Sequence, residues 1–297
     1  MSLRGSFTAF LAVVLAVLLT GFASGSDRRG PESLKPKSAE PTIETTNLWV
    51  VVNLFSGRTS RQAEKVRDIL SGVGAEGRGI VLPYNEITVE NIKKLRPAFL
   101  ALSPNGVPWC RYKGRNGTDL ESFLKALKII VEDMEVPVIG ICGGHQALAL
   151  AFGGKVGPIR GGEDDCFPYK FKPTEKGRQN IFVVSDDPLF QGMGKTLNLV
   201  QNHFDEVKRL PPGFLCLAEN KLCPYQIIKH PTKPAYGVQA HTEYYLRQKP
   251  DGGLLLQNFL KIARTHNKIT RLADPVPTTG SMQKGKLESS REAENQR

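Results

Sequence analysis

The sequence lacks the motifs that mark metalloproteins, nucleotide-binding proteins and nucleic-acid-binding proteins. Its five histidines are dispersed, and no spacing of His, Cys, Asp or Glu is typical of metal ligands. No glycine-rich loop is followed by the Lys-Ser/Thr pair that cradles phosphates. No basic run is interleaved with aromatic residues. We therefore expect no metal, no cofactor and no nucleic-acid partner.

Acidic residues are also in short supply, since 29 Asp and Glu face 40 Lys and Arg and leave a formal net charge of +11. Residues 1–46 carry five basic and four acidic residues and residues 273–297 carry four of each, so a surplus of +10 lies in the central part. Such a surplus could serve nucleic acid, an acidic envelope surface or anionic substrates. Because the basic residues are scattered, we favour a solvated basic surface. The net charge alone does not identify a binding partner.

Long apolar runs are absent except at the N-terminus. Arg4 precedes the apolar run from Ala9 to Leu19, and either Gly21-Phe22-Ala23 or Ala23-Ser24-Gly25 supplies small residues for cleavage. The run is shorter than the roughly 20 residues that a membrane span needs. We interpret residues 1–25 as a signal peptide, with an uncleaved N-terminal membrane anchor as the alternative. The protein is accordingly expected to be exported, secreted or periplasmic.

Two further segments have too few large apolar residues to form a core. Residues 26–46 are rich in Pro, Ser, Lys and Glu and are predicted to be a disordered linker; residues 273–297 are predicted to be a disordered tail. We see no internal repeat. Residues 47–272 remain, enough for one α/β domain.

Short β-branched runs alternate with helical patterns in the first part of this domain, which predicts a doubly wound, mostly parallel sheet with helices on both faces. After Gly154 the strands follow one another more closely, which indicates a partly antiparallel added section. The predicted strands are 48–55, 79–82, 98–102, 136–141, 181–184, 197–201, 214–218, 225–228 and 235–239, and the predicted helices 59–70, 89–95, 120–131 and 252–264.

The most informative stretch is a strand-to-helix turn at residues 136–154, with Cys142 at the bend. Gly140, Gly143 and Gly144 surround the cysteine, and small residues of this kind permit a strained turn that exposes one side chain. The helix that follows points its N-terminus at the sulfur, which favours the thiolate. The pattern predicts a nucleophile; the alternative is an ordinary buried cysteine.

Two other predicted strand ends carry polar residues, and ligands of such sheets bind beyond the carboxyl ends of the strands. One delivers His241 and Glu243, a base and a carboxylate that could orient it. The other runs into the turn Ser103-Pro-Asn-Gly106, whose free N–H groups could help form an oxyanion hole. Taken alone, the first motif is also explained by a surface histidine with a solvated glutamate, and the second by an ordinary turn.

Together these motifs resemble the class I glutamine amidotransferase family. The family pattern Gly-x-Cys-x-Gly-(His/Met)-Gln is matched by Gly140 to Gln146, and Gly-Val-Gln-Phe-His-Pro-Glu by Gly237 to Glu243. The family strand Ser-Pro-Gly-Pro-Gly corresponds to Ser103 to Gly106, and Leu-Pro-x-Gly-Phe to the stretch ending at Phe214. The resemblance implies a flavodoxin-like fold for about residues 48–264.

The resemblance also implies a Cys-His-Glu triad. Cys142 would be the nucleophile, His241 the general base and then acid, and Glu243 the residue that orients it. The N–H of Gly143 would be one oxyanion donor.

Other roles carried over by the resemblance are less sharply fixed. The second oxyanion donor falls at Asn105 or Gly106, and Gln146 matches a position that contacts bound glutamine. His145 is expected to pack under the turn, and His203 to have a structural role.

The sequence departs from the family at Ala240 and Thr242, where Phe and Pro are usual, and we expect no synthetase domain after the closing helix. We therefore expect an exported hydrolase of glutamine or another γ-glutamyl amide, acting through a cysteinyl thioester and resembling secreted γ-glutamyl hydrolases. One alternative is a glutaminase subunit that delivers ammonia to a separate synthetase partner. Another is an inactive binding module, which the intact triad disfavours.

Four cysteines remain besides Cys142: Cys110, Cys166, Cys216 and Cys223. Two disulfides are possible in an exported protein, and Cys216 with Cys223 is the easiest local pair. The connectivity stays open, as does the alternative of free buried thiols.

Overall fold

The computed structural model describes residues 47–55, 60–115, 117–163, 165–166 and 175–273. The predicted signal peptide and linker, and all but the first residue of the predicted tail, lie outside these ranges and stay predictions. In the described ranges, no helix is both long and apolar enough to cross a membrane.

Eleven strands and six α-helices occur in the part of the chain that the structure describes. The strands are β1 (Leu48–Asn53), β2 (Arg78–Pro83), β3 (Leu100–Leu102), β4 (Val138–Ile141), β5 (Lys155–Pro158), β6 (Glu175–Val183), β7 (Thr196–His203), β8 (Asp205–Arg209), β9 (Leu215–Glu219), β10 (Ile227–Lys229) and β11 (Ala235–Val238). The helices are α1 (Arg61–Gly72), α2 (Val89–Leu95), α3 (Trp109–Arg115), α4 (Gly117–Glu132), α5 (Gly143–Ala151) and α6 (Asp251–Ala273).

Nine strands form one sheet in the order β2-β1-β3-β4-β11-β10-β9-β6-β7. The first five strands are parallel to one another, and each pairing from β11 to β10 and onward to β7 is antiparallel. The predicted doubly wound sheet with an antiparallel addition is confirmed. Because β4 and β11 are parallel neighbours, their carboxyl ends meet at one edge of the sheet, where Cys142 and His241 follow them.

The core lies on both faces of the sheet, as the alternation of side chains along a strand requires. Trp49 and Val51 of β1 pack on the face covered by α1 and α6, whereas Val50 and Val52 pack on the face covered by α2, α4 and α5. All four are fully buried. This two-sided burial explains why the parallel strands are unbroken apolar runs in the sequence.

Three elements were not predicted. Strands β5 and β8 form a separate antiparallel pair, and β8 escaped prediction because charged residues dominate its five positions. Helix α3 follows the Ser103 turn and carries Trp109. Helix α6 also continues nine residues beyond its predicted end at 264, as far as Ala273.

The favoured cysteine pairing is wrong. Cys110 of α3 is bonded to Cys166, with their Cα atoms 5.7 Å apart, whereas Cys216 and Cys223 are free. Proximity along the chain was misleading because the two free thiols have separate surroundings. The Cys216 thiol donates to backbone carbonyls of Ala218 and Pro224, while Cys223 is fully buried beside Glu206.

Replacing both Cys110 and Cys166 by serine is expected to lower the free energy of unfolding by about 2–4 kcal/mol. The bond closes a loop across a sequence separation of 56 residues, and its loss frees that loop in the unfolded chain. Urea unfolding of the oxidised protein and the double variant measures the difference. Cys216→Ser, which removes a half-buried free thiol, should change it little; equal stability of all three proteins would contradict the expectation.

Candidate active site

Cys142 occupies the bend between β4 and α5 with the unusual backbone angles φ 51° and ψ −102°. A positive φ at a residue with a Cβ atom costs of order 1–3 kcal/mol and typically occurs at functional sites. Its N–H donates to the carbonyl of Val238 on β11 over 2.8 Å, and its side chain is buried. The strained turn thus fixes the sulfur at the edge where β4 and β11 end.

The glycines around Cys142 are required by close backbone contacts. A Cβ atom at Gly140 would lie 2.3 Å from the carbonyl oxygen of Gly144, so strand and helix could not meet so tightly. A Cβ atom at Gly143 would lie 2.5 Å from the backbone nitrogen of Asn105. Two of the predicted oxyanion residues, Gly143 and Asn105, are therefore neighbours beside the sulfur.

His241 and Glu243 follow β11 and form a hydrogen-bonded pair. His241 Nδ1 and Glu243 Oε1 are 2.7 Å apart, and both side chains are buried. The His241 N–H donates to the carbonyl of Val200 on β7 over 2.8 Å, which fixes the segment to the sheet. Residues Thr242–Tyr244 form a 3-10 turn, which brings the Glu243 carboxylate to the His241 ring.

The charge state of His241 is set by three neighbouring influences. Burial lowers the pKa of the imidazole, but the Cys142 thiolate and the Glu243 carboxylate outweigh burial and raise that pKa well above its usual value. Nε2 makes no hydrogen bond of ordinary geometry among the described residues, and it is the ring nitrogen left to face the sulfur. The arrangement favours a protonated imidazolium beside the Cys142 sulfur.

A cavity of about 260 Å³ opens above these residues. This volume is below the roughly 300–1,000 Å³ of pockets for drug-sized ligands, so it suits a smaller molecule. Its walls come from the turn after β3, from the end of β7, and from Cys142 and His241. The lining residues are Phe55, Gln62, Pro104, Asn105, Gly106, Val107, Pro108, Cys142, Gln146, Asn202, His203, Phe204, Asp205, His241 and Tyr244.

Gln146 lines this cavity, but its amide already bonds to protein. Its oxygen accepts from Trp109 Nε1 over 2.7 Å, and its nitrogen donates to the Asp205 carbonyl (2.6 Å) and to Gln239 Oε1 (3.1 Å). Gln239 Nε2 in turn lies 3.8 Å from the Cys142 sulfur. Gln146 thus braces the cavity wall, and its contact with a substrate stays a prediction.

Asp205 supplies the carboxylate among the residues that line the cavity, and it was not predicted. Its Oδ2 accepts from the Trp109 N–H over 3.2 Å, and burial raises the pKa of the carboxyl. A lone Asp two residues after His203 carries little signal. Only the pairing of β5 with β8 places it beside the cavity.

His203 holds the same wall and has the structural role that the resemblance implied. Its Nε2 lies 2.8 Å from Glu175 Oε2, and its Nδ1 lies 2.9 Å from the Asp205 carbonyl oxygen. Both ring nitrogens are engaged by protein groups, so neither is left for chemistry. Across the described ranges, no group of three or more His, Cys, Asp or Glu side chains is placed to hold a metal ion.

His145 lies fully buried beneath the bend, as expected for a packing residue. Burial lowers the pKa of its imidazole to about 3, so the ring is neutral. It packs closely on β11, since a Cβ atom at Gly237 would lie 2.6 Å from its Nδ1. The ring faces backbone groups of Gly237 and Tyr225, but neither nitrogen makes a hydrogen bond of ordinary geometry.

Replacing His145 by methionine should reduce the acid sensitivity of the fold. Because the folded-state pKa of about 3 lies below the usual 6.5, only the unfolded chain takes up this proton between those values. Stability from this residue is therefore complete above pH 6.5 and falls by about 1.4 kcal/mol per pH unit below it.

The measurement is urea unfolding at pH 7 and pH 5. We expect the loss of stability between the two to be about 2 kcal/mol smaller in His145→Met than in the parent, from the pKa difference. His266→Met, at a half-buried position on α6, is the matched control. Equal losses in the parent and His145→Met would contradict a neutral buried ring.

Comparison with known proteins identifies the family. A profile described as glutamine amidotransferase class-I matches residues 74–263. A subunit of the glutamine-hydrolysing GMP synthase of Pyrococcus abyssi is 34% identical over 190 residues, covering 64% of this chain and 87% of the relative. The corresponding subunit of the Archaeoglobus fulgidus enzyme is 38% identical over 138 residues, covering 46% and 67%.

Solved structures show the same fold. A putative GMP synthase subunit from Thermoplasma acidophilum has a TM-score of 0.57 at 23% identity and covers 76% of this chain and 98% of its own. A glutamine amidotransferase of Thermotoga maritima has a TM-score of 0.51 at 19% identity, covering 76% and 95%. With the strained cysteine and its His-Glu pair in place, the profile match shows that this chain belongs to the class I glutamine amidotransferase family.

Proposed function

We propose that the domain hydrolyses the γ-amide of glutamine through a thioester on Cys142. The observation that carries the proposal is that Cys142 and His241 line one small cavity, with the buried Glu243 carboxylate bonded to the His241 ring over 2.7 Å. A nucleophile, a base and a carboxylate that orients the base are the parts that amide cleavage through an acyl-enzyme needs.

The groups allow a balanced sequence of steps. The Cys142 thiolate attacks the γ-carbonyl carbon, and the oxyanion forms beside the N–H groups of Gly143 and Asn105. The C–N bond breaks as the His241 imidazolium gives its proton to the departing ammonia. Neutral His241 then takes a proton from water, whose oxygen attacks the thioester carbon and releases glutamate and the thiolate.

Asp205 is the group we propose for binding the α-ammonium of the substrate. Its carboxylate lines the cavity and has the backbone N–H of Trp109 as a hydrogen-bond donor. Burial makes the charged form of this carboxylate costly, and a cationic ligand group beside it would stabilise that form. A substrate without an α-ammonium group should therefore bind less well.

For the fate of the ammonia, we propose that the chain acts as a glutaminase subunit that passes ammonia to a separate synthetase. The support is that relatives matched over most of their length are named as one subunit of a glutamine-hydrolysing GMP synthase. The partner would be a protein, and the substrate glutamine. We therefore rank the glutaminase subunit, the alternative named in the sequence analysis, ahead of a free-standing γ-glutamyl hydrolase.

An exported, free-standing hydrolase is the second candidate. The bond between Cys110 and Cys166 favours it, because disulfides persist mainly in oxidising compartments, where ATP-dependent synthetases have no supply of ATP. The predicted signal peptide points the same way. Determining the N-terminus of the protein isolated from its own cells tests export: a start within or just after residues 21–25 supports it, and a start at Met1 contradicts cleavage.

The purified protein assayed alone separates the two candidates. A glutaminase subunit should release ammonia slowly from glutamine and leave larger γ-glutamyl amides intact. A free-standing hydrolase should release amines from several of those amides at a useful rate. Absence of turnover on every compound, together with absence of a covalent adduct from a glutamine-analogue electrophile, would contradict both.

A further inference from the structure

The carboxylate of Glu243 has two hydrogen-bond donors, and both reach the same oxygen. His241 Nδ1 lies 2.7 Å and Gln62 Nε2 lies 2.5 Å from Glu243 Oε1. The other oxygen, Oε2, is buried and has no partner among the residues that the structure describes. The side chain of Glu243 is wholly shielded from solvent. Gln62 is thus the second donor, besides His241, that holds this carboxylate.

The orientation of the Gln62 amide is fixed by its two neighbours. A carboxylate oxygen can only accept, so the amide nitrogen must face Glu243. The Tyr244 hydroxyl donates to the amide oxygen over 3.1 Å. Gln62 therefore bridges two residues of the 3-10 turn that follows His241, although it lies 181 positions away from Glu243 in sequence.

Helix α1 holds Gln62 in its first turn. The Ser60 side chain accepts from the N–H groups of Gln62 and Ala63 and so fixes the start of the helix. One turn further on, the Lys65 ammonium lies 3.5 Å from the centroid of the Tyr244 ring. The same helix thus contacts the triad segment at two points, only one of which touches Glu243.

We infer that Gln62 is a positioning residue for the triad: its amide fixes the Glu243 carboxylate, which in turn aims His241 Nε2 at Cys142. The inference rests on the proposed function, because it assigns Gln62 a part in the same reaction. Gln62 does not take part in proton transfer. Its contribution is to hold a buried carboxylate in one orientation.

The test compares Gln62→Met with Glu64→Met, which introduces the same residue at an exposed position of the same helix. Loss of a hydrogen bond to a charged group predicts that kcat for glutamine falls roughly 10- to 100-fold in Gln62→Met, with KM changed less than about threefold. The rate of Cys142 alkylation by iodoacetamide should fall in parallel, because a poorly aimed imidazolium stabilises the thiolate less. Glu64→Met should match the parent in all three quantities.

Two further variants protect the test against a folding defect. Gln62→Ala removes the amide while favouring the helix, and it should show the same loss. Tyr244→Phe keeps the amide but removes the hydroxyl that orients it, and it should lower kcat a few-fold. If both Gln62 variants fold and match Glu64→Met, the inference is wrong although the proposed function stands. If the parent turns over no γ-glutamyl amide and forms no covalent adduct with a glutamine-analogue electrophile, the proposed function fails instead.

Discussion

Replacing Cys142 by alanine is expected to lower glutamine turnover roughly 10⁴-fold or more, because the acyl-enzyme route needs the sulfur. The replacement removes one sulfur from a position that is already strained at φ 51°, so the fold should survive. A coupled ammonia assay at saturating glutamine measures the loss. The pKa of His241 should also fall, since the Cys142 thiolate is one of the groups that raise it.

Cys216→Ala is the matched control, because Cys216 is a free thiol on the antiparallel part of the sheet. It should retain the activity of the parent. Turnover within about tenfold of the parent in Cys142→Ala would rule out the thioester route, since residual catalysis by the remaining groups is far smaller.

Replacing Glu243 by glutamine is expected to lower kcat roughly 10³- to 10⁴-fold, as loss of the orienting carboxylate does in other triads. The new amide could keep its oxygen where Oε1 accepts from His241 and Gln62, but its NH₂ group would then occupy the buried Oε2 position without an acceptor. Turning the amide around would place its NH₂ group against His241 Nδ1 and Gln62 Nε2, which are themselves donors. Either orientation costs free energy, and both lose the negative charge.

The pH dependence of Glu243→Gln gives a second readout. Glu243 is one of the groups that raise the pKa of His241, so its neutralisation lowers that pKa. The imidazolium that protonates ammonia then loses its proton at lower pH, so the alkaline limb of the kcat–pH profile should shift to lower pH. Glu219→Gln, an exposed carboxylate on β9, should leave both rate and profile unchanged. An unchanged limb in Glu243→Gln would contradict the electrostatic role.

The sequence predicted the parts of the site that depend on local patterns. The glycines around Cys142 and the His241-x-Glu243 spacing are short-range signals, and the strands before them are recognisable because two-sided burial makes them apolar. Parallel strands end at one edge, so the meeting of these motifs followed from the fold class.

Long-range contacts could not be predicted in this way. Asp205 reaches the cavity because it lies on β8, a charged strand that pairs with β5. Gln62 contacts Glu243 although the two are 181 positions apart in the sequence. The bond between Cys110 and Cys166 likewise depends on how α3 lies against a distant loop. Each requires knowledge of packing between elements, which hydrophobic periodicity does not contain.

The most direct test of the thioester mechanism is mass spectrometry of the protein after exposure to a glutamine-analogue electrophile, followed by peptide mapping. We predict one adduct per chain, on Cys142, whose formation is slowed by added glutamine. Cys216 and Cys223 should remain unmodified, because neither lies in the cavity with His241. Labelling of those thiols at the same rate as Cys142, or labelling that glutamine does not slow, would contradict a nucleophile at this site.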